Sequence, residues 1–366
     1  MKALFIRKPG VIEAGEVVKP QAGQGEVLLR VRLVGLCGSD INTYRGKNPL
    51  VELPRIPGHE IAATIEATGP GVPEAFRAGT NVTLSPYSAC GECPACRRGR
   101  ANACRSNQTL GVQRYGALTE YVVAPWQKLL EAPGLSLHQL CLVEPLSVGF
   151  HAAARGRVAE KDTVAVIGSG AVGLGAVAGA AFRGARVIAV DVDACKLRVA
   201  RKAGAMETIN PVDEPLAERM AELTDGDGPD VVVEAVGLPQ TYRSAVEMVA
   251  FTGRVVYIGY AKESVEYETR LFVQKELDIL GSRNATIEDF REVIRMLAAG
   301  TFPVEDVISK VCHMEEAGTV FSDWNRNPGA FTKILVDVGN SEASHTAEPG
   351  HRAIAIHDEV EDNEDQ

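Results

Sequence analysis

The chain has 366 residues, of which 45% are hydrophobic and 23% charged, and its formal net charge is −10. This composition excludes a disordered chain, a disulfide-rich miniprotein and a collagen-like repeat, and the length suits two or more domains. Eight acidic residues and one Arg fall in 340–366, so this tail carries seven of the ten net negative charges. The nearly neutral body lacks the basic face that nucleic-acid binding needs. With no apolar run of about 20 residues and no signal peptide, the sequence predicts a cytoplasmic protein without a membrane partner.

The first part of the chain, up to Val123, predicts short strands separated by Gly and Pro. The segments 26–35 and 60–69 alternate apolar with polar residues, a pattern typical of half-buried strands, and 81–86 is a shorter strand. We therefore expect an all-β module within residues 1–151.

Further potential metal ligands are spread along this module. Cys37 follows the strand at 26–35, His59 and Glu60 open the strand at 60–69, and Glu144 lies shortly before the next domain. Taken singly, Cys37 could be a small buried apolar residue, His59 a polar strand-end residue and Glu144 a charge at a helix N-terminus. Together, one Cys, one His and one or two carboxylates can form a catalytic zinc site with an open position.

Four cysteines in the same module have the spacing of a second metal site: Cys90, Cys93, Cys96 and Cys104. Four thiolates at C-x2-C-x2-C-x7-C spacing can surround one zinc ion, and a thiolate site without an open position is structural. In a cytosolic chain, clustered cysteines suggest metal binding before disulfides. The lobe covers about residues 86–107. Taken alone, this segment could also be a nucleic-acid-binding zinc ribbon, but the rest of the chain does not support that alternative.

The pattern changes near Thr163, where continuous apolar strands alternate with helical segments. The predicted strands are 163–168, 186–191, 230–237, 254–259 and 277–282. Buried strands that alternate with helices indicate a doubly wound parallel sheet, here predicted for residues 152–284. A helix at 287–299 and a closing strand at 331–338 follow, and we expect residues 285–339 to return to the first module.

A glycine-rich turn, Gly168-Ser169-Gly170-Ala171-Val172-Gly173, follows the first of these strands and opens a helix. This is the context of the dinucleotide fingerprint, in which backbone amides bind a pyrophosphate. Asp191 ends the next strand 18 residues after Gly173. Its carboxylate would accept hydrogen bonds from the adenosine ribose and repel a 2′-phosphate, so we predict NAD. Arg198 is close to Asp191 in sequence, so NADP remains an alternative cofactor. The alternative to a dinucleotide-binding turn is a glycine-rich packing turn in an unrelated α/β domain.

The tail, residues 340–366, is polar and acidic, and we predict that it is disordered. It holds His345, His351 and His357. We interpret them as part of a solvated extension rather than a metal-buffering segment, because no cysteine or compact spacing supports a site.

Together these motifs resemble those of the zinc-dependent medium-chain dehydrogenases, the superfamily of alcohol, sorbitol and threonine dehydrogenases. The resemblance covers about residues 1–339 and rests on CGSD at Cys37, PGHE at Pro57, the four-cysteine lobe, VEPLSVGFHA at Val143 and GSGAVG at Gly168. Glu144 resembles the polyol branch, because the liver alcohol dehydrogenase branch has Cys there. The segments GKNPLVELPRIPGHE, PYSACGECPACRRGRANAC and GSRNATIEDF look most like sugar-acid dehydrogenases that oxidise L-galactonate or L-gulonate at C5.

The resemblance implies a GroES-like β module and a Rossmann domain, with two zinc ions and NAD per chain. Cys37, His59 and Glu60 would bind the catalytic zinc, and Glu144 would bind it directly or through the zinc water. Ser39 would pass on the alcohol proton, which makes Ser39, Glu60 and Glu144 the candidate catalytic residues. The resemblance places the cofactor against the glycine-rich turn, Asp191 and the ends of later strands, at Val236, Gly237, Ile258, Gly259 and Ser282.

One position departs from the family pattern. Many relatives have His three residues after the relay hydroxyl, where this chain has Asn42. An amide cannot accept a proton near neutral pH, so the proton must reach water through the nicotinamide ribose or through another group.

The implied reaction is the NAD-linked oxidation of a secondary alcohol of a sugar acid or polyol by a homodimer or homotetramer. Arg45, Lys47 and Arg283 could meet a substrate carboxylate or could simply be solvated. Sorbitol, threonine or simple alcohol dehydrogenase activity is an alternative, and a non-catalytic NAD-binding zinc protein is a remote one.

Overall fold

A computed structural model describes residues 1–339 of the chain. The acidic tail, 340–366, and its three histidines lie outside the described residues, so the expectation of disorder is not tested.

Residues 1–155 fold mainly into strands. These are β1 (Lys2–Lys8), β2 (Val11–Glu16), β3 (Glu26–Leu36), β4 (Glu60–Thr68), β5 (Asn81–Leu84), β6 (Tyr87–Ser88), β7 (Gln108–Thr109), β8 (Tyr121–Pro125) and β9 (Leu129–Glu131). The helices are α1 (Gly38–Tyr44), α2 (Pro94–Arg97) and α3 (Leu137–Arg155), with short 3-10 turns at Ala101–Ala103 and Trp126–Lys128.

The following part alternates strands with helices. In chain order these are β10 (Thr163–Ile167), α4 (Ala171–Phe182), β11 (Arg186–Val190), α5 (Ala194–Lys202), β12 (Glu207–Ile209), α6 (Leu216–Leu223), β13 (Val231–Glu234), α7 (Pro239–Met248), β14 (Arg254–Tyr257), α8 (Arg270–Gln274) and β15 (Asp278–Gly281). The chain ends with α9 (Ile287–Ala298), α10 (Val304–Val307), β16 (Ile308–His313), α11 (Ala317–Arg326) and β17 (Lys333–Asp337), with 3-10 turns at Met314–Glu316 and Pro328–Ala330.

A seven-stranded sheet forms the first module, in the order β16-β17-β3-β4-β5-β9, with β8 also paired to β3. Strand β3 runs antiparallel to β4, and Gly35 lies opposite Glu60. The closing strand β17 pairs antiparallel with β3, so Ile334 faces Leu36. Strand β17 is therefore part of the same sheet as β3.

A six-stranded parallel sheet forms the second part, in the order β12-β11-β10-β13-β14-β15. Its central strands are apolar on both faces, since Val164 and Val231 on one face and Ala165 and Val232 on the other have no exposed surface. The strand order reverses between β10 and β13, which is the topological switch point where such sheets bind ligands.

Helix α3 connects the two sheets and packs closely against α4. Ser136 caps it by accepting a hydrogen bond from the Gln139 amide at 3.2 Å. A Cβ on Gly149 would lie 2.1 Å from the Ala176 nitrogen. The two helices can approach this closely only because that position carries no side chain.

The predicted fold class, a GroES-like β module plus a doubly wound parallel sheet, is confirmed. The domain boundaries at 151, 284 and 339 stay predictions. Strand β12 was not predicted, and it forms an edge of the parallel sheet. Within residues 1–339, every helix is too short or too polar to cross a bilayer.

Candidate active site

Three of the predicted zinc ligands lie together. One potential ligand atom each of Cys37, His59 and Glu60 lies within 4.8 Å of the other two. The chain brings them together because Cys37 follows β3 while His59 and Glu60 open the neighbouring β4. Glu60 needs glycine opposite it, since a Cβ on Gly35 would lie 2.0 Å from the Glu60 carboxylate.

The surroundings of His59 suit a cation. Its Nδ1 is buried and has no hydrogen-bond partner in the described chain. Burial disfavours the charged imidazole, but Cys37, Asp40 and Glu144 raise the pKa of His59 well above its usual value. A thiol, an imidazole and a carboxylate around one point are zinc ligands, so these residues fit the ion that the sequence predicts.

Asp40 links the two ligand loops, a role that the sequence analysis missed. It is buried, and its carboxylate accepts hydrogen bonds from the backbone amides of Cys37 at 2.9 Å and Gly58 at 3.4 Å. Burial raises the pKa of Asp40, and nearby His59 opposes that effect. Asp40 therefore fixes the loop of Cys37 against the loop of His59.

Lys333, on β17, binds the Glu60 carboxylate. Its Nζ donates to both carboxylate oxygens, at 2.6 and 2.7 Å, and to the Leu36 carbonyl at 3.0 Å. Both side chains are buried: Glu60 is 0% exposed and Lys333 is 4% exposed. Burial opposes the charged ammonium, but Glu60 and Cys37 raise the pKa of Lys333. Glu60 is therefore held in an ion pair beside the ligand cluster.

Glu144 is held by a different partner. The Tyr87 hydroxyl donates to one oxygen of its carboxylate. Burial raises the pKa of Glu144, against the opposing effects of His59 and Tyr87. Glu144 is not part of the cluster of Cys37, His59 and Glu60 found in the described residues. It lies in the middle of α3, so its interpretation as a charge at a helix N-terminus is wrong.

The predicted proton relay begins at Ser39, in the first turn of α1. The Ser39 hydroxyl is buried and has no hydrogen-bond partner within residues 1–339. Its backbone carbonyl accepts from the Thr43 hydroxyl at 2.8 Å. Asn42 lies in the same helix and is half-buried. The free hydroxyl fits a group that meets an alcohol, but within residues 1–339 no side chain accepts a hydrogen bond from it.

The four cysteines of the lobe form a second cluster. All four sulfur atoms lie within 4.8 Å of one another. The contacts Cys93–Cys96, Cys90–Cys104 and Cys93–Cys104 measure 3.5, 3.6 and 3.9 Å. A zinc–sulfur bond of about 2.3 Å requires similar sulfur separations. Backbone hydrogen bonds from Arg105 and Cys96 lower the pKa of the Cys93 thiol to about 6. The site therefore fits a structural zinc.

The glycine-rich turn has the shape that the sequence predicts. Gly168 has φ +98°, and a Cβ on Gly173 would lie 1.9 Å from the Gly168 carbonyl oxygen. Gly170, at the N-terminus of α4, faces open space. Asp191 accepts hydrogen bonds from the Ser169 amide at 2.6 Å and the Asp193 amide at 2.9 Å. The turn thus leaves room for an anion at a helix N-terminus, where Ala171 and Val172 begin α4.

The other predicted cofactor residues follow β13, β14 and β15, at the same edge of the sheet. These are Val236, Gly237, Ile258, Gly259 and Ser282. The buried Glu234 organises the first pair, because its Oε1 accepts from the amides of Val236 at 2.9 Å and Gly237 at 2.8 Å. The sequence analysis missed Glu234, although it is an acid at the end of an apolar strand.

Two of the three cations proposed for a substrate carboxylate have other partners. Arg45 donates to the Asn325 side chain at 2.7 Å and to its carbonyl at 3.1 Å. Arg283 donates to the Cys104 carbonyl at 3.3 Å, on the four-cysteine lobe. Lys47 is exposed.

Two family descriptions match the chain. "Alcohol dehydrogenase GroES-like domain" matches residues 23–134. "Zinc-binding dehydrogenase" matches residues 171–299.

Whole-chain comparisons find similar proteins of matching length. The chain is 36% identical over 335 residues to an uncharacterised zinc-type alcohol dehydrogenase-like protein of Haemophilus influenzae, with 91% of this chain and 98% of that protein covered. It is 31% identical to L-galactonate-5-dehydrogenase of Escherichia coli, with 84% and 91% covered. Among solved structures, the alcohol dehydrogenase RspB of E. coli CFT073, in complex with NADH, has a TM-score of 0.85 and 31% identity, with 92% and 99% covered.

Proposed function

The chain belongs to the zinc-dependent medium-chain dehydrogenase family, and from this premise we propose that it oxidises a secondary alcohol of a sugar acid or polyol with NAD. The observation that carries the proposal is the buried cluster of Cys37, His59 and Glu60 in a chain that also has a dinucleotide turn. Zinc bound there supplies a Lewis acid that lowers the pKa of an alcohol, and NAD is the hydride acceptor.

The protein's own residues bind and orient the reactants. Cys37, His59 and Glu60 would hold the metal, and Asp40 fixes the loop of Cys37 against the loop of His59. The Tyr87 hydroxyl holds Glu144 through a hydrogen bond to its carboxylate. Ser39, whose hydroxyl is free of protein partners in the described chain, accepts the proton of the substrate hydroxyl. Because Asn42 cannot accept this proton, it would pass to water by way of a bound nicotinamide ribose or through another group.

A hexonate is the proposed preferred substrate. Glu144 in place of a thiolate makes the metal site more polar, and aromatics are only 5% of the chain, which disfavours a pocket for long alkyl alcohols. The similarity to an L-galactonate dehydrogenase supports the same class. Since Arg45 and Arg283 have other partners, Lys47 is the proposed carboxylate contact.

A substrate panel tests this function. Purified protein is assayed by NADH absorbance with L-galactonate, L-gulonate, hexitols, pentitols, threonine and secondary alcohols, each with NAD and NADP. We expect the hexonates to exceed the matching hexitols roughly 5- to 150-fold in kcat/KM, the range for one charge-assisted hydrogen bond. Threonine as best substrate would place the chain in the amino-alcohol branch.

A matched pair of cysteine variants ties the activity to the site. Cys37→Ser should lose roughly 100-fold or more in kcat/KM, because a metal ligand is lost. Cys312→Ser changes a buried cysteine on β16 and should leave kcat/KM nearly unchanged. A wild type that binds NADH but oxidises no member of the panel would favour a non-catalytic NAD-binding protein.

We also propose NAD over NADP and assembly into a homodimer or homotetramer. Asp191 supports NAD, since a carboxylate beside the ribose repels a 2′-phosphate. Strand β15 is an edge of the parallel sheet, and Ile279 on it is 42% exposed, which supports assembly. Equal kcat/KM with both cofactors would contradict the first proposal, and a monomer mass by light scattering the second.

A further inference from the structure

Asn102 ties the four-cysteine lobe to two other parts of the chain. It lies between Cys96 and Cys104 and is 5% exposed. Its Nδ2 lies 2.9 Å from Nε2 of His151, on α3. The same Nδ2 donates to the Arg283 carbonyl at 2.9 Å, in the connector that follows β15. One hydrogen of the Asn102 amide group therefore bonds to α3 and the other to the connector.

The partners of His151 fix its proton and thereby the direction of these bonds. Nδ1 of His151 lies 2.9 Å from Oδ2 of Asp289, on α9. Burial would raise the pKa of Asp289, but the hydrogen bonds from His151 and Thr286 hold it below its usual value. The ionised carboxylate can only accept, so Nδ1 carries the proton and Nε2 accepts from Asn102. Turning the amide over would place its oxygen against the Arg283 carbonyl, so the orientation is fixed.

The connector returns two bonds to the lobe. The Asn284 side chain donates to the Asn102 carbonyl at 3.0 Å, and Arg283 donates to the Cys104 carbonyl at 3.3 Å. Asn284 has φ +52°, so the connector turns sharply at this contact. The residue before this pair is Ser282, one of the predicted cofactor positions, and its hydroxyl is buried without a partner in the described part of the chain.

We propose that Asn102 is a positioning residue that couples the folded, metal-bound state of the four-cysteine lobe to the connector 282–284, and through it to cofactor binding. The lobe then does more than stabilise its own loop, because it holds in place a segment at the cofactor edge of the parallel sheet. The inference rests on the proposed function for the identity of the cofactor, but the coupling itself does not depend on turnover.

The test compares two buried asparagines at the lobe in full-length, zinc-loaded protein. Asn102→Ala removes both donors, whereas Asn107→Ala removes an amide that binds only Thr109 at 2.9 Å. Like Asn102, Asn107 has a buried, unpartnered Oδ1. Hydrogen–deuterium exchange of a peptide covering 282–289 should accelerate roughly tenfold in Asn102→Ala and stay near wild type in Asn107→Ala. NADH affinity, measured by fluorescence, should fall about fivefold or more in Asn102→Ala only.

Two further readouts separate positioning from a general loss of fold. KM for NAD should rise more than kcat falls in Asn102→Ala, with zinc content unchanged. If Asn102→Ala does not fold, Asn284→Gly keeps the positive φ, removes one of the connector's bonds, and should show the same exchange effect at smaller size. Equal exchange and equal NADH affinity in the Asn102 and Asn107 variants would overturn the inference. A wild type without turnover would refute the proposed function, yet the exchange comparison would still decide the coupling.

Discussion

At the scale of single residues, Glu60 and Lys333 form a buried ion pair beside the ligand cluster. Both groups are enclosed, and the ammonium makes 2.6 and 2.7 Å contacts with the two carboxylate oxygens. Enclosing two charges costs several kcal/mol of desolvation, which their attraction offsets only with such geometry. The pair therefore makes each partner strongly dependent on the other.

Removing one partner should cost more than removing both. Lys333→Met leaves an unpaired buried carboxylate and should lower the free energy of unfolding by about 3–5 kcal/mol. The double variant Glu60→Gln/Lys333→Met has no unpaired charge and should regain more than half of that loss. Urea unfolding of both variants checks this. A double variant no more stable than the single one would contradict it.

Two glycines of the same turn should respond in opposite ways to alanine. A Cβ on Gly173 meets the Gly168 carbonyl oxygen at 1.9 Å, so Gly173→Ala should lower the free energy of unfolding by about 1–3 kcal/mol or more. Gly170 has nothing within 4 Å, so Gly170→Ala should keep wild-type stability. Its methyl group would occupy the space for the pyrophosphate and weaken NADH binding roughly tenfold or more. Thermal unfolding and NADH fluorescence check the pair, and the opposite pattern would reject the assignment of this turn.

The site residues found from the sequence are those with local signals. Cys37, His59 and Glu60 stand beside predicted strand ends, which the antiparallel pairing of β3 with β4 brings together. Lys333 was missed because its partner lies 273 positions away along the chain. The only local sign was a lysine directly before the apolar run Ile334, Leu335 and Val336. Tyr87 was missed for a similar reason, since its hydroxyl meets a residue of α3.

At the scale of elements, the N-terminus of α9 depends on one carboxylate. Asp289 accepts from the Thr286 amide at 2.7 Å and its hydroxyl at 2.6 Å, and it also binds His151. These hydrogen bonds lower the pKa of Asp289 against the effect of burial. The cap thus joins α9 to α3 only while Asp289 is ionised.

This cap predicts a specific acid sensitivity. Because the pKa of Asp289 is lower when folded, its contribution is complete above the unfolded pKa of about 3.9 and is lost as pH falls through the folded pKa. The difference in the free energy of unfolding between wild type and Asp289→Asn should be constant from pH 7 to about pH 5. It should become smaller below about pH 4. Denaturant unfolding against pH measures it. Glu288→Gln, at an exposed position of α9, should track wild type, and a gap that widens in acid would refute this account.

The parallel strands could be predicted because they are continuous apolar runs between turn residues. The observed strands end earlier than predicted. The strand predicted at 230–237, for example, is β13, Val231–Glu234. The residues that were predicted as strand but lie beyond its end include Val236 and Gly237, two of the predicted cofactor positions. Strand β12 was missed because it has three residues, of which only Ile209 is buried. Strand β12 forms because it pairs with β11 in the sheet, and not because its sequence has a strong strand pattern.

At the scale of the whole molecule, the two ligand clusters predict two zinc ions per chain. Protein purified without chelator should contain close to two equivalents by metal analysis. A mild chelator should first remove the ion at the mixed site, which has an open position, and abolish activity while the fold persists. Cys37→Ser should lower the content by one equivalent, and Cys312→Ser should not. Full activity with one equivalent would reject the two-site assignment.

The pairing of β17 with β3 has a consequence for how the protein is made. Strand β3 leaves the ribosome early, whereas Lys333, which neutralises Glu60, is among the last described residues. A nascent chain can fold its parallel sheet and even bind NADH while Glu60 still lacks its counter-ion. Catalytic competence should therefore arise only after β17 has been synthesised. A translation product that ends at residue 332 should be inactive, and adding β17 as a separate peptide should restore turnover.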